Sequence, residues 1–166
     1  MAKQPKALDE LFHDTLKDIY YAEKKILTAL PKMAKAARNL EQVFEMIDKK
    51  AQGKKCPAIN GIVEEGQEIA KKYKGSPALE SGLLAAAQAV EHYEISRYGT
   101  LRTWAQELGM SQAVTLLETT LKEEKNTDEA LTELAETCVN QEAQAEAAQP
   151  HDLNTRKRTL AARQRS

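Results

Sequence analysis

An all-α fold is predicted for this chain of 166 residues by three features. Apolar residues recur every three or four positions over most of its length, and no stretch alternates with period two for long enough to make a strand. Only 7 Gly and 5 Pro interrupt it. With 42% hydrophobic and 30% charged residues, the composition suits amphipathic helices around a packed core. The length favours one domain with a tail.

The first helix is carried by Leu8, Leu11/Phe12, Thr15, Ile19, Ala22, Ile26 and Leu30, which form one apolar stripe. Pro31 then removes a backbone donor and crowds the preceding turn, which predicts a kink. Beyond it Met33, Ala37, Leu40, Phe44 and Ile47 continue a heptad-like seam. The one candidate break is Arg38-Asn39, where Asn could cap. Residues 8–50 therefore read either as one kinked helix or as a long helix, a tight corner and a stub. The continuous version would span roughly 64 Å at 1.5 Å per residue. A domain of this size does not cover such a length alone, so that version, the one favoured here, implies a partner chain.

Ala51–Pro57 is a loop. A short helix follows with Ile59, Ile62, Val63, Ile69 and Tyr73 apolar, despite Gly66. Ser76 and Pro77 read as the N-cap and first position of a helix running to Leu108, with Gly109 as its stop. Ser111 is expected to cap the last helix, through Ala113, Leu117, Leu121, Leu131, Leu134 and Cys138.

The 24 Lys+Arg and 25 Asp+Glu nearly cancel, which argues against a nucleic-acid protein. Residues 141–166 nevertheless hold five basic against three acidic side chains and only two large aliphatics, Leu153 and Leu160. Such a segment buries too little apolar surface to offset its ordering entropy, so a helical domain over 1–140 and a disordered basic tail over 141–166 are expected. The tail cluster Arg156-Lys157-Arg158 reads as solvated, the alternative being contact with nucleic acid or acidic lipid. No apolar run is long enough to cross a membrane, and the N-terminus leads into charged sequence instead of a signal peptide. A cytoplasmic location is the expectation. Cys56 and Cys138 have neither metal-type nor disulfide-framework spacing. Cys56 beside Lys54 and Lys55 is either a thiol of lowered pKa or an ordinary one. There is no Walker loop, no Gly-x-Gly-x-x-Gly and no convincing Ser/His/Asp set.

The informative residues are acids on apolar faces. Glu23 lies between Ile19 and Ile26 on the first stripe. The fourth helix reads Leu84, Ala87, Glu91, Glu94, Tyr98, Leu101, Ala105, Leu108, and the last reads Leu117, Leu121, Glu124, Asp128, Leu131. A buried carboxylate is costly unless paired, protonated or bound to a metal. Five of them on three helices suggest a cluster, and facing helices with oxygen ligands are how bundle proteins hold two iron or manganese ions. The plainer alternative is five flank residues paired with Lys or Arg, and a shift of one position would put Glu123 inward in place of Glu124. Tyr20, Tyr21, Tyr93 and Tyr98 lie near these acids, as relays or as packing and hydrogen-bonding groups.

The same residues carry a family resemblance. Leu16-Lys17-Asp18-Ile19-Tyr20-Tyr21-Ala22-Glu23-Lys24, Gly61-Ile62-Val63-Glu64-Glu65-Gly66, Glu91-His92-Tyr93-Glu94-Ile95, Tyr98-Gly99-Thr100-Leu101 and Thr120-Leu121-Lys122-Glu123-Glu124-Lys125 resemble the YciE/YciF-type bacterial stress proteins over about residues 6–140. The resemblance implies a ferritin-like helical bundle, a homodimer, a stress-response role of unestablished biochemistry and a rubrerythrin-like metal pattern. It implies Glu23, Glu91, Glu94, Glu124 and Asp128 as the metal ligands and iron or manganese as the ion, with no organic cofactor. His92 neighbours Ala89, Ile95 and Ser96 and reads as a supporting residue instead of a ligand. This chain departs from the pattern after Ala36-Ala37-Arg38-Asn39. A stretch of the second helix that would supply an acid and a histidine is absent, so the second core helix is truncated or merged with the first. His13, His92 and His151 do not replace it, and Glu41 or Glu45 reach the site only if the stub folds back. Two functions stay open: a stress protein with a carboxylate-bridged metal site and ferroxidase-like or peroxide-consuming chemistry, or a non-catalytic dimerising module that has lost its metal.

Overall fold

The computed structural model describes the backbone of residues 8–26 and 31–148, and the side chains of residues 8–22 and 36–145. It is an all-α bundle: α1 (Leu8–Ile26), α2 (Pro31–Met46), α3 (Pro57–Lys72), α4 (Leu79–Glu107) and α5 (Ser111–Leu134), the last continued through a π turn (Ala135–Val139) into α6 (Asn140–Ala148). Among the described residues no helix is long and apolar enough to cross a membrane.

The continuous helix over 8–50 does not form. α1 ends at Ile26, and α2, which begins at Pro31, lies back along it. The Phe44 ring meets the edges of His13, at 6.0 Å between centroids, and of Tyr20, at 5.5 Å. Tyr20 Oη donates to Glu41 Oε1 at 2.8 Å. Pro31 explains the corner, because at the first position of a helix its missing N–H costs nothing and its fixed φ suits the start. Asn39, taken as a possible break, lies inside α2 and donates from Nδ2 to Thr120 Oγ1 on α5 at 3.2 Å. With the long rod gone, so is the reason it gave for a partner chain.

The apolar stripes close on one core. Phe12, Leu16 and Ile19 of α1 meet Leu40, Val43 and Phe44 of α2, Tyr98, Leu101 and Ala105 of α4, and Ala113 and Leu117 of α5. Each large apolar side chain so buried stabilises the fold by about 1.5–3 kcal/mol. On α1 the stripe runs through Phe12, with Leu8 and Leu11 exposed.

The α3 helix lies against α4, close enough that a Cβ on Gly82 would stand 2.6 Å from Ile69 Cγ2. The loop before it crosses α1 at Gly53, where a Cβ would be 3.1 Å from Tyr21 Cα, and Lys54 N donates to Lys17 O at 3.2 Å.

The α4 helix begins at Leu79, two residues later than expected, because Ser76 Oγ accepts from Ala78 N at 3.2 Å and holds a separate turn. Its end is as predicted. Gly109 has φ +72°, Gly109 N donates to Gln106 O, and Met110 N donates to Ala105 O, a glycine-dependent C-terminal lock. Ser111 opens α5 without a side-chain cap. Helix also continues to Ala148, eight residues beyond the expected boundary at 140, over a Gln/Glu/Ala run of good helix formers. The rest of the basic tail, with Arg156-Lys157-Arg158, lies outside the described residues.

Candidate metal centre

On α4, a spacing of three puts Glu91 and Glu94 on the same buried face as Leu84, Tyr98 and Leu101. On α5, the spacing Leu117, Thr120, Glu124 does the same for Glu124. The two helices pack along their length, and the three carboxylates meet: one oxygen of each lies within 4.8 Å of the others. Glu94 is 1% exposed, Glu124 4% and Glu91 8%. Glu91 Oε2 and Glu94 Oε1 are shut off from water, as is Oε2 of the neighbouring Glu123.

Burial penalises each carboxylate charge and mutual repulsion adds to the penalty. A shared proton or a cation relieves both terms. As ligands the three offer only hard oxygen donors, which suit manganese, iron, magnesium or calcium, and they lack the nitrogen that would narrow the choice. The donor set therefore fits a metal ion.

The other two expected ligands stand differently. The Asp128 side chain, one turn beyond Glu124, is held by α4: His92 Nε2 lies 3.2 Å from Asp128 Oδ1, and Gln88 Nε2 donates to that oxygen at 3.4 Å. Gln88 also donates to Thr132 Oγ1 at 2.9 Å. Asp128 thus stands outside the triad, in contact with two α4 side chains. Glu23 belongs to α1, but its side chain lies outside the described residues. The returning stub does not deliver a further acid to the triad, since Glu41 accepts from Tyr20 at the α1–α2 contact and Glu45 is exposed.

The tyrosines hydrogen-bond and pack. Besides Tyr20, Tyr21 Oη donates to Asn60 Oδ1 at 3.4 Å, and Tyr98 is fully buried one turn from Glu94. Tyr93 Oη lies 3.1 Å from Cys56 Sγ. Burial, then the Cys56 contact, push the Tyr93 phenol well above its usual range, so it stays protonated. Cys56 is buried at the start of α3, away from solvent.

Sequence reasoning missed Gln88 and Thr120. Both are neutral polar residues next to a stripe, and nothing in spacing separates them from ordinary flank residues. Thr120 is buried and receives Asn39 from α2, one turn before Glu124.

The profile of a family described as a domain of unknown function, DUF892, matches residues 7–39 and 36–144. Protein YciF of Escherichia coli K12 is 40% identical over 163 residues, covering 86% of this chain and 98% of the relative. Among solved structures, the E. coli stress protein YciF aligns with a TM-score of 0.75 at 36% identity, over 82% of this chain and 99% of that one. YcfI of Rhodopseudomonas palustris aligns with a TM-score of 0.73 at 38% identity, over 80% and 97%. The sequence alignment takes up more of YciF than of this chain, and the profile match divides at residues 36–39, where the sequence departs from the resemblance. On the profile and the identity together, the chain belongs to the DUF892 family.

Proposed function

We propose that this chain is a stress-related protein of the YciF kind whose buried Glu91, Glu94 and Glu124 hold a metal ion, iron or manganese. The observation that carries the reading is the convergence of three carboxylate oxygens from two helices within 4.8 Å, at sites almost closed to water. A cation there offsets the desolvation and repulsion that otherwise weigh on the fold. When bound, such an ion supplies the redox capacity of a ferroxidase-like or peroxide-consuming centre. The chain's own contribution is to fix the ligands. Glu91 and Glu94 are set one helical turn apart on a long helix anchored by Tyr98 and Leu101, and Glu124 is set by the α4–α5 contact. Glu23 belongs to this proposal as a further ligand from α1. A homodimer stands on the resemblance alone, and light scattering on the full chain reads it directly.

The test is elemental analysis of the purified protein. Stoichiometric iron or manganese, lost in Glu94→Ala combined with Glu124→Ala, supports the reading. Metal-free protein whose thermal stability ignores added iron and manganese overturns it and leaves the non-catalytic helical module.

A further inference from the structure

We propose that Asp128 and His92 form an outer, solvent-facing cation station through which an ion reaches the interior triad. The proposal rests on reading Glu91, Glu94 and Glu124 as a cation site. Its own ground is a run of polar side chains along the α4–α5 seam that leads to a partly exposed carboxylate. Farthest from the triad along α5, Gln88 Nε2 donates to Thr132 Oγ1 at 2.9 Å. Next, Gln88 Nε2 and His92 Nε2 meet Asp128 Oδ1 at 3.4 and 3.2 Å. Innermost are Glu91, Glu94 and Glu124.

Thr132, Asp128 and Glu124 follow one another at one-turn spacing on α5, and on α4 Gln88 lies one turn from both Glu91 and His92. Exposure falls from the His92 side chain, 67%, to that of Asp128, 21%, and to Glu124, 4% as a residue. Both α4 contacts of Asp128 fall on Oδ1, so among the described residues Oδ2 faces no α4 donor.

A buried site cannot take up a hydrated ion in one step, because losing the whole water shell before gaining ligands carries a prohibitive desolvation cost. A partly exposed carboxylate with a neighbouring imidazole exchanges some of that water first. The other edge of the seam does not offer this. There Lys125 stands with Leu121 beside Ser96, Gly99 and Thr100, and its ammonium repels a cation. Charge and exposure together point to the Asp128 edge.

The experiment follows Mn2+ uptake into the metal-free full chain, its stripping at saturating chelator, and the occupancy at equilibrium. Asp128→Asn is expected to slow uptake and stripping by the same factor, about fivefold, with equilibrium occupancy unchanged. His92→Gln is expected to slow both in the same balanced way by a smaller factor. A residue on the route alters both rates together, whereas an inner ligand alters the equilibrium. If Asp128→Asn weakens equilibrium binding, Asp128 is a ligand of the site and the outer station is wrong. If neither rate changes in a variant with the wild-type helix content, the Asp128–His92 contact is only an ion pair, and the station is wrong while the triad reading stands. A wild-type protein that takes up no Mn2+ overturns both.

Discussion

Tyr20 donates from Oη to Glu41 Oε1 at 2.8 Å, which ties the middle of α1 to the middle of α2. The contact exists only because α2 lies back along α1, and it sits beside the Tyr20–Phe44 edge contact that fills the same interface. The Tyr20 ring is buried, so Tyr20→Phe keeps the packing and removes the phenol oxygen that donates to Glu41. A hydrogen bond to a charged acceptor in a half-buried setting contributes about 1–2 kcal/mol. Chemical denaturation should therefore report a loss of that size with an unchanged dependence on denaturant. A loss near zero would mean that the hairpin is held by its apolar face alone.

Gly53 supports a second stability prediction. A Cβ placed there would stand 3.1 Å from both Cα and Cβ of Tyr21. The nearest atom is backbone in a packed helix, so it cannot swing aside as a side-chain tip would. Gly53→Ala should cost about 1–2 kcal/mol through this overpacking, despite the entropy that alanine removes from the unfolded chain. Gly61→Ala is the control, because its Cβ would meet nothing within 4 Å and the residue lies inside α3. Removing glycine from that helix should stabilise by about 0.5–1 kcal/mol. Thermal melts of the two variants are thus expected to move in opposite directions.

Much of the bundle was legible because periodicity is a property of the helix itself. Of the α4 stripe, Leu84, Glu91, Glu94, Tyr98, Leu101 and Ala105 are buried and Ala87 and Leu108 half-buried, and Gly109 ends the helix as its position after Leu108 implies. The α1–α2 corner was not legible. An apolar seam that continues in register across Pro31 looks alike whether the chain runs on or doubles back, and only the tertiary meeting of Phe44 with His13 and Tyr20 decides it. At the site, periodicity placed Glu91, Glu94 and Glu124 inward but carried Asp128 with them. Its outcome depended on Gln88 and His92, whose reach across the seam is a matter of side-chain rotamers that spacing does not encode.

A pH dependence follows from His13, which lies edge-on to Phe44 in the α1–α2 interface. Its pKa is lowered, first by burial and then by the ammonium groups of Lys17 and Lys49. A histidine whose folded pKa is depressed takes up its proton more readily in the unfolded chain, so acidification favours unfolding. The penalty is absent well above the ordinary pKa of 6.5 and grows as pH falls below it. Denaturation curves between pH 7.5 and 5.5 should lose stability more steeply in the wild type than in His13→Gln. The comparison of slopes is the readout, since losing the ring against Phe44 lowers the variant at every pH. Equal slopes would show that His13 does not contribute to the acid limb.

The sharpest test of the interior carboxylates begins with metal-free protein. Three acidic groups with oxygens within 4.8 Å repel one another wherever they carry charge, and each buried charge also bears a desolvation cost. Glu94→Gln removes one of the charges, keeps the size of the side chain and leaves a group able to donate to Glu91 or Glu124. The metal-free variant is therefore expected to be more stable than metal-free wild type by about 1–2 kcal/mol, a sign opposite to that of most buried substitutions. Glu118→Gln, on the exposed face of α5, is the matched control and should change stability by less than about 0.5 kcal/mol. Adding Mn2+ should then raise the melting temperature of the wild type and leave Glu94→Gln nearly unmoved, because binding to the folded state alone is what shifts the equilibrium. A metal-free Glu94→Gln that is destabilised, with Mn2+ raising both proteins equally, would mean that the carboxylates are held by hydrogen bonds within the fold and that the ion acts elsewhere.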